Sequence, residues 1–193
     1  MSNSSYSVGI CGEWGLGKSS FLNLFKKQVE ASGDICIKFC PRSSKDVSCI
    51  QEDFFKLYAQ CLRRYHSGMG DLIENYVQSL SLVENSWYGK IALLWTQICS
   101  HNQIGHVNIA IKKIKRRIYV IVEDLDRLTG EEIVEVFKLV DKNGGFNNTI
   151  FLTAYDKKYI NSVLRAFLNH DAATDFSDKY FNYEYSLPSQ SPN

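Results

Sequence analysis

The chain lacks most of the features that would assign it by composition. Lysine and arginine total 22 against 21 acids, so a net charge of +1 gives no global pull toward nucleic acid or an anionic membrane. The first residues, Met1 to Ser7, are polar and do not form a signal peptide. The longest apolar run, 91–99, is far short of the ~20 residues that span a bilayer. Six cysteines include no C-x-x-C pair, and Cys36, Cys40 and Cys49 match no standard zinc spacing. Reduced thiols in a cytoplasmic protein are the expectation. The four histidines show no metal spacing either. There is no internal repeat and no low-complexity linker.

What remains is ordinary globular composition, 45% hydrophobic and 22% charged, over 193 residues, so a single domain with a sizeable core is expected. The alternation of short apolar runs with amphipathic stretches indicates an α/β fold. A β-type run at residues 6–11 leads into Gly12-Glu13-Trp14-Gly15-Leu16-Gly17-Lys18-Ser19, and an amphipathic helix follows over about 19–31. Strand, glycine-rich loop and helix together make the G-x-x-x-x-G-K-S phosphate-binding loop. Glycines let backbone N–H groups converge on an anion, and the helix N-terminus adds its positive dipole end. Glu13, Trp14, Gly15, Leu16, Gly17, Lys18, Ser19 and Ser20 are the predicted nucleotide contacts. Lys18 is assigned to the β- and γ-phosphates and Ser19 to Mg²⁺.

The run Ile118-Tyr119-Val120-Ile121-Val122 is apolar throughout, as in a central parallel strand buried on both faces. It ends in Glu123-Asp124-Leu125-Asp126-Arg127. Carboxylates at the carboxyl end of such a strand, beside a phosphate loop, are what Mg-nucleotide chemistry requires. Glu123 and Asp124 are therefore the predicted metal and catalytic acids, one orienting Mg²⁺ and the other polarising the attacking water. Thr153, ending the strand 149–154, and Lys179, near the last strand, are candidate γ-phosphate sensors. Arg127 is a third candidate, against the plainer reading of a local ion pair.

Other elements read as scaffold. Capping boxes at Ser48/Gln51 and Thr129/Glu132 open helices. Asp71 and Ser86 are further helix starts, and residues 68–115 form a helical insertion whose Trp and Tyr residues are core aromatics. The basic run 112–117 is either a solvated face or a contact for nucleic acid or a membrane surface. The last strand is expected within 178–185.

Four ordered motifs make the chain resemble the KAP family of P-loop ATPases: the loop with its Trp14, Glu123-Asp124-Leu125-Asp126-Arg127, Ala154-Tyr155-Asp156, and Lys179-Tyr180-Phe181 followed by Leu187-Pro188. The resemblance implies a three-layer core around a five-stranded parallel sheet of order 5-1-4-3-2. It implies ATP rather than GTP, in keeping with the absence of an N-K-x-D guanine motif. It also implies hydrolysis that drives a signalling or antiphage-defence assembly, in which the partners are further copies of the chain or other subunits. Glu123 departs from the family's D-D-L-D-R, and the region carrying transmembrane helices in many members here holds only the helices of 71–99. A non-hydrolysing ATP-bound scaffold is the alternative. A small-molecule kinase is a weaker one, since neither an Arg-rich lid nor an acceptor pocket is visible. The thin flanks predict an excerpt of a longer multidomain protein.

Overall fold

The computed structural model describes residues 5–81, 103–141, 145–168 and 179–188. Five strands, β1 Tyr6–Cys11, β2 Ile35–Phe39, β3 Ile118–Val122, β4 Thr149–Tyr155 and β5 Tyr183–Ser186, form one sheet in the order β2-β3-β4-β1-β5. All pairings are parallel, and the order is the expected 5-1-4-3-2 read from the other edge. β3 and β4 are buried at almost every position, which accounts for their unbroken apolar sequence.

Alternation along the strands divides the core in two. Ile10, Ile121, Leu152 and Ala154 point toward α1 (Lys18–Ala31) and enclose its Leu22, with Phe25 packed against them. The other face carries Ile37, Phe39, Val120, Val122 and Phe151. It is covered by α2 (Cys49–Leu62), α3 (Met69–Ser81), α4 (Gln103–Ile114), α5 (Gly130–Asp141) and α6 (Lys157–Leu168). The thicker layer is aromatic. Phe54 packs on Phe39 and Phe151, and Tyr58 stacks on Phe146 at 4.5 Å while its hydroxyl meets Thr149. Tyr76 in α3 is fully buried against Phe55, so this tyrosine of the insertion is a core residue. The helix expected from Ser86 lies outside the described residues.

Two helix starts differ from expectation. Ser48 does not cap α2: its hydroxyl donates to Asp46, and the Asp46 carboxylate takes the Cys49 amide at 3.2 Å. The Ser48 hydroxyl is turned to Asp46 rather than to the Gln51 amide, and the Gln51 side chain donates to Glu135 at 2.8 Å, so neither half of the box closes. α3 begins at Met69, so Asp71 sits in its first turn, where it still complements the dipole. The Thr129/Glu132 box forms as predicted, with Thr129 N–H donating to Glu132 at 2.7 Å. The last strand starts later than expected, at Tyr183.

Besides its parallel pairing with β1, β5 is braced across that strand by a close approach. The buried Tyr155 hydroxyl crosses over Gly9 to donate to Glu184 of β5, which also pairs with Lys157 at 2.6 Å. A Cβ at Gly9 would stand 2.7 Å from that hydroxyl, and the Tyr155 ring cannot retreat because it stacks on Phe181. Gly9→Ala is expected to cost about 1–3 kcal/mol of stability, the usual range for overpacking a filled site. Urea unfolding followed by circular dichroism measures it, and a midpoint equal to wild type would contradict the close approach.

Candidate functional site

β1 ends at Cys11, and Gly12 donates its N–H to the Tyr155 carbonyl at 3.1 Å, so the loop leaves the sheet at the carboxyl end of its central strands. Gly15 and Gly17 adopt φ of 87° and 80°, the left-handed region where a side chain is strained, and neither has a neighbour within 4 Å of a would-be Cβ. The sequence places glycine where the turn requires it. Gly17 is the N-cap of α1 and supplies no side-chain cap, so the first-turn amides are left for an anion. Lys18, Ser19 and Ser20 form that first turn, with both serines exposed. Glu13 and Trp14 lie on the outer surface of the loop, Glu13 paired with Lys158 at 2.7 Å. Leu16 closes the turn by donating its N–H to the Glu13 carbonyl at 3.3 Å.

Lys18 folds back across the loop. Its ammonium lies 2.7 Å from the Gly12 carbonyl and 3.0 Å from Asp126 Oδ2, with both side chains about one-tenth exposed. Asp126 was not among the sequence-derived site residues, yet it is the carboxylate that meets the loop lysine. Its other oxygen accepts the Asp156 amide at 2.7 Å, tying the loop to the start of α6. The chain reverses to bring it there: Asp124 takes φ 62°, and Leu125–Arg127 form a 3-10 turn.

Glu123 and Asp124 are consecutive but placed differently. Glu123 is buried, with Oε2 paired to Lys38 of β2 at 2.5 Å and Oε1 without a hydrogen-bond partner among the described residues. Asp124 is exposed, its carboxylate 3.8 Å from Arg127 and 3.9 Å from the Cys40 thiol. Arg127 also lies over the Trp14 ring at 5.3 Å, so it bridges the phosphate loop and the acidic turn. Arg127 thus makes a local ion pair and also stands at the edge of the phosphate loop.

Thr153 is fully buried, with a hydroxyl that has no partner among the described residues, and pairs in register with Val122 and Gly9. Lys179 is a correction. It precedes β5, and the neighbouring Tyr180 carbonyl accepts from Ser7 at the start of β1. In a parallel sheet that end is a strand's length, roughly 15 Å, from the phosphate loop. Lys179 is too far away to sense a γ-phosphate.

Mg²⁺ takes oxygen donors, typically one or two carboxylates or hydroxyls with water and phosphate completing the shell. The residues fit it: a buried carboxylate oxygen left unpartnered on Glu123 and an exposed Ser19 hydroxyl in the first turn of α1. No group of three or more His, Cys, Asp or Glu among the described residues is arranged to hold a metal. Burial pushes the Cys36 thiol up to about 11, away from the reactive thiolate. No helix among the described residues is long and apolar enough to cross a membrane.

No curated protein matches the chain in sequence. A family model, that of the KAP family P-loop domain, matches residues 1–193. With the phosphate loop, the acid-tipped strand and the 5-1-4-3-2 sheet in place, the chain belongs to the KAP family of P-loop NTPase domains.

Proposed function

We propose that the domain binds and hydrolyses Mg-ATP. The observation that carries this is the pairing of an uncapped helix N-terminus, fronted by Lys18, with a buried Glu123 whose Oε1 has no hydrogen-bond partner among the described residues. Lys18 exchanges the Gly12 carbonyl and Asp126 for the β- and γ-phosphates. The amides around Gly15 and Gly17 hold the phosphates by their dipoles. Ser19 and Glu123 would hold Mg²⁺, which neutralises charge on the transferring phosphoryl group. Asp124, the exposed acid of the turn, orients the attacking water. Thr153, buried one strand over from Glu123, and Arg127 register the state of the γ-phosphate.

Preference for ATP and hydrolysis coupled to assembly of a signalling or defence complex rest on the family resemblance, and a cytoplasmic setting rests on the reading of the cysteines as reduced thiols. The partners in this reading are further copies of the chain or other subunits. The basic run 112–117 lies at the end of the sheet opposite the phosphate loop, where the Arg116 guanidinium donates to the Gly33 carbonyl at 2.7 Å and covers the Tyr65 ring. Part of that charge is spent on local structure, so polyanion contact there is a minor element of the proposal.

Release of inorganic phosphate from Mg-ATP and from Mg-GTP, with an EDTA control, tests the core of it. Expected is Mg²⁺-dependent release, faster with ATP. Tight nucleotide binding with no release over many hours would instead establish the non-hydrolysing scaffold.

A further inference from the structure

We propose that Lys38 is a positioning residue that clamps Glu123 with one carboxylate oxygen committed and the other held for the metal ion or its water. It rests on the Mg-nucleotide reading of the site.

The clamp follows from the register of the sheet. β2 and β3 run parallel with Lys38 opposite Ile121 and Phe39 opposite Val122. Alternation then carries Lys38 and Glu123 to the same face, that of Cys36 and Ile121, which is the face α1 covers. Consecutive residues of β2 grip Glu123 at two points: the Phe39 carbonyl accepts its N–H at 3.3 Å, and the Lys38 ammonium meets Oε2 at 2.5 Å. Oε1 is left buried and unpartnered among the described residues. A carboxylate oxygen in that state costs stability, so its persistence marks a group kept for a ligand.

Glutamate at this position sharpens the need. It has one more rotatable bond than aspartate, so an unclamped Glu123 would spread its carboxylate over several rotamers. The ammonium removes that freedom. Lys38 is itself 42% exposed, whereas Glu123 is 10% exposed, so the lysine tethers from the rim while the carboxylate is fixed inside. The two effects of the ammonium on a metal oppose one another. Its charge repels the cation, an effect screened by solvent at this exposure. Its grip preorganises the ligand, and preorganisation is what a functional oxygen needs most.

The test uses a fluorescent mant-ATP analogue with wild type, Lys38→Met and Lys38→Arg, titrating MgCl₂ from an EDTA-treated start. Lys38→Met is expected to raise the Mg²⁺ concentration at half-effect by about 10-fold, in the range seen when groups supporting a metal ligand are removed. Affinity for the analogue in EDTA should stay within about twofold, because the phosphate loop is untouched, and Lys38→Arg should restore most of the Mg²⁺ response. A Lys38→Met midpoint equal to or below wild type overturns the proposal and leaves the nucleotide reading standing. Equal loss of affinity in EDTA and in Mg²⁺ overturns it too, since that marks general disruption. A wild type whose affinity ignores Mg²⁺ overturns both. Should Lys38→Met fail to fold, Lys38→Ala, which likewise removes the donor, is read by the same criteria.

Discussion

Lys18→Ala should eliminate measurable turnover, lowering kcat/KM by about 10²–10³-fold or more, the scale for removing one charge-stabilising donor from a preorganised site. The resting contacts of Lys18 explain why no other side chain substitutes. Its ammonium is held over the loop by the Gly12 carbonyl at 2.7 Å, the Glu13 carbonyl at 3.3 Å and Asp126 at 3.0 Å. In the proposed function a phosphate takes the place of these contacts, and the charge already stands over the loop. Arginine would not restore it, because a planar fork replaces a compact point charge in a loop built around the smaller group. Lys18→Arg and Lys18→Ala are therefore expected to be similarly inactive, with far-UV circular dichroism unchanged. Removing the lysine also strips Asp126 of its cation. With the Asp156 amide still bound at 2.7 Å, stability should fall by only about 1–2 kcal/mol, and a second change, Asp126→Asn, should recover part of it. Phosphate release in single-turnover assays reads the first effect and urea denaturation the second. Residual turnover above a tenth of wild type would mean that Lys18 is not the phosphate ligand.

The phosphate loop was legible because its requirements are local. Positive φ at Gly15 and Gly17, a strand before and a helix after all follow from adjacent residues. The strand ending at Val122 was legible for a similar reason, being buried on both faces and therefore apolar at every position. The partners of the acids were not. Which carboxylate meets Lys18 depends on the left-handed Asp124 and the 3-10 turn after it, and nothing in Glu123-Asp124-Leu125-Asp126-Arg127 announces that reversal. Lys38 reads as the outward residue of an alternating strand. Only its parallel register with Ile121 brings it to Glu123, 85 residues later in the chain. Lys179 shows the converse. The motif drew it toward the site, but a parallel strand is entered from the end opposite the phosphate loop, so a residue before β5 cannot reach it. Sheet order and direction, once granted, would have excluded Lys179 and hinted at Lys38.

Asp124→Asn and Asp126→Asn should separate cleanly, because the two carboxylates are spent differently. Both oxygens of Asp126 are engaged, one by Lys18 and one by the Asp156 amide, and its side chain is 11% exposed. Both oxygens are tied to fixed partners, so in the proposed function it competes with phosphate for Lys18 and places a negative charge beside the triphosphate, while orienting water falls to Asp124. Removing that charge should tighten nucleotide binding in EDTA by about 10-fold, equivalent to about 1.4 kcal/mol, well below the Coulomb limit for a pair at this distance. A carboxylate with only a structural role would show the reverse, weaker binding through a disordered loop. Asp124 has an exposed carboxylate with loose contacts at 3.8 and 3.9 Å, leaving lone pairs for a water. Asp124→Asn should lower kcat about 10²–10³-fold while nucleotide affinity stays within about threefold, the signature of an interaction made only in the transition state. Isothermal titration in EDTA and single-turnover hydrolysis in Mg²⁺, run on both variants, give the two readings. If Asp126→Asn abolishes hydrolysis without tightening binding and Asp124→Asn turns over normally, the roles are exchanged, and Lys18 and Asp126 act as a catalytic pair rather than as a resting one.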